Sequence, residues 1–239
     1  MNHKNRTNPV AVITGGTKGI GYAICSLLGD KGFDIITCAR NNDDLENLQR
    51  EFAQKSINLT PFQADLSKES EVHRFGKSVH DSVDQIEILV NNAGIFLPGE
   101  ILKEGSGHLE MMIQANLYSA YHLTRSLIDL LPGGEKPHIF NMCSIASKIA
   151  YLNGGSYTIS KFALLGFSKV LREELKSQGI RVTALMPGAT WSASWEGADF
   201  PESRLMQASD IAHVLWSAYA LSAAADVEEI IIRPQLGDL

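Results

Sequence analysis

Short apolar runs alternate with longer helical patterns from one end of this chain to the other, and few architectures satisfy that alternation. The runs lie at 10–14, 33–39, 59–63, 86–91, 138–144, 181–186 and 229–233. Most are continuously apolar, the pattern of strands covered on both faces. Between them fall helical patterns at 18–31, 42–55, 68–83, 108–131, 157–178 and 209–224, with Gly32 and Gly179 as stop signals. Such alternation implies right-handed crossovers. The expected fold is therefore single-domain α/β: a doubly wound, Rossmann-type parallel sheet of seven strands with helices on both faces. No repeat or linker interrupts 10–239, and 1–9 reads as a loose polar tail.

Bulk properties exclude several function classes. A chain of 239 residues is long enough for one domain with a large core and short for two. A net charge of −6 without a Lys/Arg cluster argues against a general nucleic-acid or membrane-surface binder. Cys25, Cys38 and Cys143 form no CxxC motif and sit in apolar stretches, so reduced thiols, no metal and a cytoplasmic setting are expected. The apolar segment 211–225 is shorter than the roughly 18 residues a membrane span needs and reads as a packed helix.

Two irregular segments, 95–107 and 188–208, follow strand ends, on the side where open α/β sheets bind ligands. The second is a candidate substrate lid. It carries Trp191, Trp195, Phe200 and Met206 beside Glu196, Asp199 and Glu202. The aromatic residues could cover a substrate or pack locally. The acids could be solvated, or could disfavour anionic substrates.

The first run leads directly into Thr14-Gly15-Gly16-Thr17-Lys18-Gly19-Ile20-Gly21 and then a helix. Glycines there let the backbone turn and approach a pyrophosphate, which a helix N-terminus stabilises. At the end of the second strand, Cys38-Ala39-Arg40 offers no carboxylate for a ribose 2′-hydroxyl and an arginine suited to a 2′-phosphate. Lys18 could add a second charge, or both cations could simply be solvated. NADP(H) is the expected cofactor, with NAD(H) the alternative.

At the other end of the cleft this topology implies, Ser144 closes the fifth strand and Tyr157-Thr158-Ile159-Ser160-Lys161 opens the next helix. Tyr157 and Lys161 share one helical face. A phenol has an ordinary pKa of about 10, and a nearby ammonium favours the phenolate. Ser144 can hydrogen-bond a substrate oxygen.

With Asp65-Leu66, Asn91-Asn92-Ala93-Gly94, Asn116 and Pro187-Gly188 added to these motifs, the chain resembles the short-chain dehydrogenase/reductase family along most of its length. The resemblance implies that Tyr157 is the general acid/base of a catalytic set Asn116, Ser144, Tyr157 and Lys161. Asn116 would hold a water that passes protons towards Lys161, or stand as a buried helix kink. The cofactor set would include Gly15, Lys18, Gly19, Ile20, Gly21, Arg40, Asp65, Leu66, Asn92, Ala93, Gly94, Tyr157, Lys161, Pro187, Gly188 and Thr190. Asp65 would meet the adenine and also cap helix 68–83, while Asn91 would tie down its strand end. The implied activity is hydride transfer between NADP(H) and a carbonyl or secondary alcohol of a small molecule. The implied assembly is a homodimer or homotetramer through helices 108–131 and 157–178. A cofactor-binding regulator without useful turnover is the alternative. Two departures stand out. Many members carry a threonine where this chain has Ser192, with Thr190 nearby, and the last strand lacks the Val-x-Gly-Gly of acyl-carrier reductases.

Overall fold

The computed structural model describes residues 8–132, 135–191 and 201–237. Seven strands form one parallel sheet: β1 (Val10–Thr14), β2 (Asp34–Ala39), β3 (Leu59–Gln63), β4 (Ile88–Asn91), β5 (His138–Met142), β6 (Arg181–Pro187) and β7 (Glu229–Ile232). Their order is β3-β2-β1-β4-β5-β6-β7. Pro61 sits in the edge strand β3, where a missing N–H is tolerated.

Alternate side chains of the strands feed two cores. Val10, Val12, Leu89 and Ile139 pack with α3 (Glu69–Ser82), α5 (Ser119–Leu127) and α6 (Gly155–Leu175) through Phe75, Leu127 and Leu171. Ala11, Ile13, Ile88 and Phe140 pack with α1 (Gly19–Asp30), α2 (Asn42–Gln54) and α7 (Ala208–Tyr219) through Leu28, Phe52 and Leu215. This two-sided burial is why the strands read as continuous apolar runs. All three cysteines are buried thiols, and burial pushes those of Cys25 and Cys38 up to about 12. Among the described residues, no helix is long and apolar enough to cross a membrane.

Element ends shift from the sequence pattern at several places, and three features differ in kind. The fifth strand stops at Met142, where the Cys143 N–H turns back to the Asn141 carbonyl at 2.9 Å. Ser144 then caps a 3₁₀ turn, Ile145–Ser147, accepting from the Ala146 N–H at 3.1 Å. The pattern at 108–131 is helical through residue 130 but not uniformly α: α4 (His108–Ile113) and α5 flank a π turn, Gln114–Tyr118, and Ile128–Leu130 is 3₁₀. Asp65 does not cap α3. Its carboxylate accepts from the N–H (3.2 Å) and hydroxyl (2.7 Å) of Ser67, closing a turn ahead of that helix.

From β1 the chain winds one way to β2 and β3, then returns to β4 on the other side, so a crevice opens between the ends of β1 and β4. The Thr14 hydroxyl spans it. It donates to the Val90 carbonyl at 3.3 Å and accepts from the N–H groups of Asn92 (2.9 Å) and Ala93 (2.8 Å). The Asn92 amide returns a bond to the Thr14 carbonyl at 2.8 Å. Thr14→Val keeps the shape and strands those partners, so guanidinium unfolding should show a loss of about 1–3 kcal/mol at unchanged m-value. A loss under about 0.5 kcal/mol, the level of an ordinary surface change, would mean the hydroxyl does not hold the strands.

Candidate active site

Beyond the strand ends lies a cleft of about 1610 Å³. Its lining includes Gly15, Lys18, Ile20 and Gly21 from the first turn, with Arg40, Asp65 and Leu66 towards one end. Asn92, Ala93 and Gly94 follow after β4, then Ser144, Tyr157 and Lys161, with Pro187, Gly188 and Thr190 at the end of the neighbouring β6. The cleft therefore collects the expected residues except two, Gly19 and Asn116, which are not on its wall.

Gly19 begins α1 with φ +54°, a left-handed conformation that glycine adopts without strain. Asn116 is buried in the π turn behind the wall. Its side-chain oxygen accepts from the Ile95 N–H at 2.7 Å, and its amide donates to the Ile95 carbonyl (3.0 Å) and the Ser160 hydroxyl (2.9 Å). Both amide hydrogens are thus engaged within the protein. The Asn116 side chain also explains Gly94, where a Cβ would come within 2.8 Å of Asn116 Oδ1.

Lys161 lies under the tyrosine. Its Nζ donates to the Met142 carbonyl at 2.8 Å and stands 5.7 Å from the centre of the Tyr157 ring. Burial lowers the ammonium to about 8, with Cys143 opposing the shift. The Tyr157 phenol is raised from its ordinary value, chiefly by burial, although a hydrogen bond with Ser144 works the other way. The lowering expected from the Tyr/Lys spacing is thus not what this structure shows, because desolvation of the phenol dominates. Two buried polar bridges brace the strand ends beneath: Asn91 to Asn141 at 2.8 Å, and Asn141 to Ser168 of α6 at 2.9 Å.

At the opposite end, Lys18 is engaged by an acid that sequence reading missed, Asp44 of α2, at 2.7 Å. Asn41 caps that helix, accepting from the Asp43 (2.8 Å) and Asp44 (3.2 Å) N–H groups beside the exposed Arg40. Phe96 was also missed. Its ring meets Tyr157 edge to face, with centroids 4.8 Å apart, and forms the near wall with Pro98, Ile149 and Tyr151. Nothing in local sequence marks Asp44 or Phe96, because their partners lie 26 and 61 positions away.

The stems of the 188–208 segment are joined: Trp191 N–H donates to the Met206 carbonyl (2.8 Å) and Met206 N–H to that of Ala189 (3.1 Å). Met206 packs in the core, while Thr190 and Trp191 line the cleft. Ser192, Trp195, Glu196, Asp199, Phe200 and the Glu202 side chain lie outside the described residues.

Comparison with known proteins bears on family and fold. A family model described as short chain dehydrogenase matches residues 9–199. An uncharacterized oxidoreductase of Staphylococcus aureus is 27% identical over 228 residues, covering 95% of this chain and 98% of that protein. A metagenomic short-chain oxidoreductase in complex with NADP superposes with a TM-score of 0.82 at 28% identity, covering 95% of this chain and 97% of that one. An alcohol dehydrogenase from the archaeon Thermococcus sibiricus, complexed with 5-hydroxy-NADP, gives 0.86 at 25% identity with the same coverage.

Proposed function

The chain belongs to the short-chain dehydrogenase family, and from that premise we propose that it is an NADP(H)-dependent oxidoreductase interconverting a carbonyl group and a secondary alcohol on a small molecule. The observation that carries this reading is the convergence of Ser144, Tyr157 and Lys161 on one wall of a dinucleotide-sized cleft at the sheet's switch point.

The cleft suits the cofactor. It begins at the N-terminus of α1, where Gly15, Lys18, Ile20 and Gly21 would hold the pyrophosphate and Gly19 would supply the left-handed turn that presents them. Asp65 and Leu66 would meet the adenine, and Asn92, Ala93 and Gly94 the adenosine side. Lys161 would bind the nicotinamide ribose, and Pro187, Gly188 and Thr190 the carboxamide. Arg40 and Lys18 favour a 2′-phosphate, and solved relatives complexed with NADP and 5-hydroxy-NADP support that choice. When bound, the cofactor supplies or accepts the hydride.

The chain's own residues handle the oxygen and the proton. The Ser144 and Tyr157 hydroxyls donate to the carbonyl oxygen as negative charge grows on it, and Tyr157 delivers its proton. Burial keeps that phenol protonated at neutral pH, the form that carbonyl reduction requires. Lys161 places a positive charge near the phenolate left behind. Asn116 acts as a positioning residue, fixing the Ile95 backbone and Ser160 beside that lysine. Exposed apolar side chains on α5 and α6 or beside them, Tyr118, Ile159, Phe162 and Val170, support pairing of two copies through these helices.

Three outcomes test the reading. With aldehydes and ketones, Tyr157→Phe should lower NADPH-dependent turnover by at least about 10²-fold, followed at 340 nm, while NADPH still binds. Undiminished turnover would remove Tyr157 from the chemistry. Arg40→Ala should raise the KM for NADPH about tenfold, the worth of one charge-assisted contact, and leave that for NADH unchanged. Equal effects on both would mean Arg40 does not read the 2′-phosphate. Lys161 is charged below about 8 and neutral above it, so carbonyl reduction should decline as pH rises through that value. A profile flat to pH 10 would show that its charge plays no part.

A further inference from the structure

We propose that Glu104 is a positioning residue for the reaction at Tyr157: its carboxylate, delivered by the 95–107 segment, caps the first turn of α6 and holds the substrate-side wall against the tyrosine's helix. The inference rests on the reading of Tyr157 given above.

A helix leaves its first N–H groups without intrahelical partners, and α6 receives no side-chain cap from its own N-cap residue, Gly154. Glu104, 52 positions earlier, meets the need. Its Oε1 accepts from the Ser156 N–H at 2.8 Å and its Oε2 from the Ser156 hydroxyl. Negative charge at that end also complements the helix dipole. Ser156 bonding through hydroxyl and N–H holds the Glu104 carboxyl below its ordinary range, so it stays charged at neutral pH.

The segment is joined to the helix start at a second point. Gly99 N–H donates to the Asn153 carbonyl at 2.9 Å, and Gly99 pairs with Gly154 as an isolated parallel bridge. The approach is close enough that a Cβ at Gly155 would lie 1.8 Å from Glu104 Oε1. Between the π turn and this clamp runs the cleft wall bearing Phe96, whose ring packs on Tyr157. Asn116 anchors the wall at Ile95 and Glu104 anchors it at Ser156, one residue before the tyrosine. Releasing Glu104 frees the wall and the first helical turn together, and small displacements at a reacting centre are costly in rate.

The test compares wild type, Glu104→Ala and Glu104→Gln by amide hydrogen exchange and by steady-state carbonyl reduction. Alanine should speed exchange in 97–106 and in 155–159 together and lower kcat about tenfold, with KM for NADPH unchanged. Glutamine, which retains an acceptor for Ser156, should recover most of both effects. Ser156→Ala, which removes the hydroxyl that Glu104 accepts from, should speed exchange and lower kcat in the same direction, and it carries the test if the Glu104→Ala variant does not fold. Unchanged exchange overturns the clamp. Faster exchange with unchanged kcat reduces Glu104 to a structural cap and overturns the positioning role. Absence of carbonyl turnover in wild type would instead defeat the reading of Tyr157, and the exchange comparison would still decide whether Glu104 couples wall and helix.

Discussion

One hydroxyl holds together the place where this sheet divides. The chain leaves the crevice between β1 and β4 in opposite directions, and the Thr14 hydroxyl joins the two strand ends through Val90, Asn92 and Ala93. Backbone that would otherwise splay and hydrate is thereby pinned, and the glycine turn after β1 faces the Asn92–Gly94 turn at a fixed width. The buried bridges from Asn91 to Asn141 and from Asn141 to Ser168 carry the same restraint across the sheet to α6. Each partner is desolvated and bonded, so such networks cost little while complete and much when broken.

Burial also sets the electrostatics. The protein carries a net charge of −6, yet Lys18, Arg40, Lys161 and Arg233 all line one cleft. Lys161 is desolvated beneath Tyr157 and bonded to a backbone carbonyl, with no carboxylate among its hydrogen-bond partners in the described residues. Desolvation moves the phenol up and the ammonium down, so both groups lean towards their neutral forms. In the proposed reaction, the protonated phenol would supply the proton to a substrate oxygen held by Ser144 and Tyr157. At the far end, the Lys18–Asp44 pair keeps a cation at the rim beside Arg40, where a bound phosphate would compete with the aspartate.

Most of the architecture was legible because local pattern and global fold agree. Strands covered on both faces are mainly apolar, and 10–14 reads that way in the sequence alone. The helix pattern at 108–131 was legible as apolar spacing, but spacing cannot register a side chain bonding sideways. Asn116 spends its amide on Ile95 and Ser160, and the helix carries a π turn there. Ser144 was placed at a strand end by the apolar run, whereas a backbone turn at Cys143 makes it a cap.

The amino-acid sequence by itself determined the parallel doubly wound sheet, the glycine turn at its first strand end, and the residues that converge on the cleft. These follow from periodicity, from glycine's freedom and from motif spacing, all of which are local. Only the tertiary structure decided that the phenol is raised and not lowered, that Asp44 holds Lys18, that Phe96 packs on Tyr157, and that Glu104 caps the helix bearing it. Desolvation and contacts between distant segments exist only once the chain has closed on itself, and no window of sequence contains both partners.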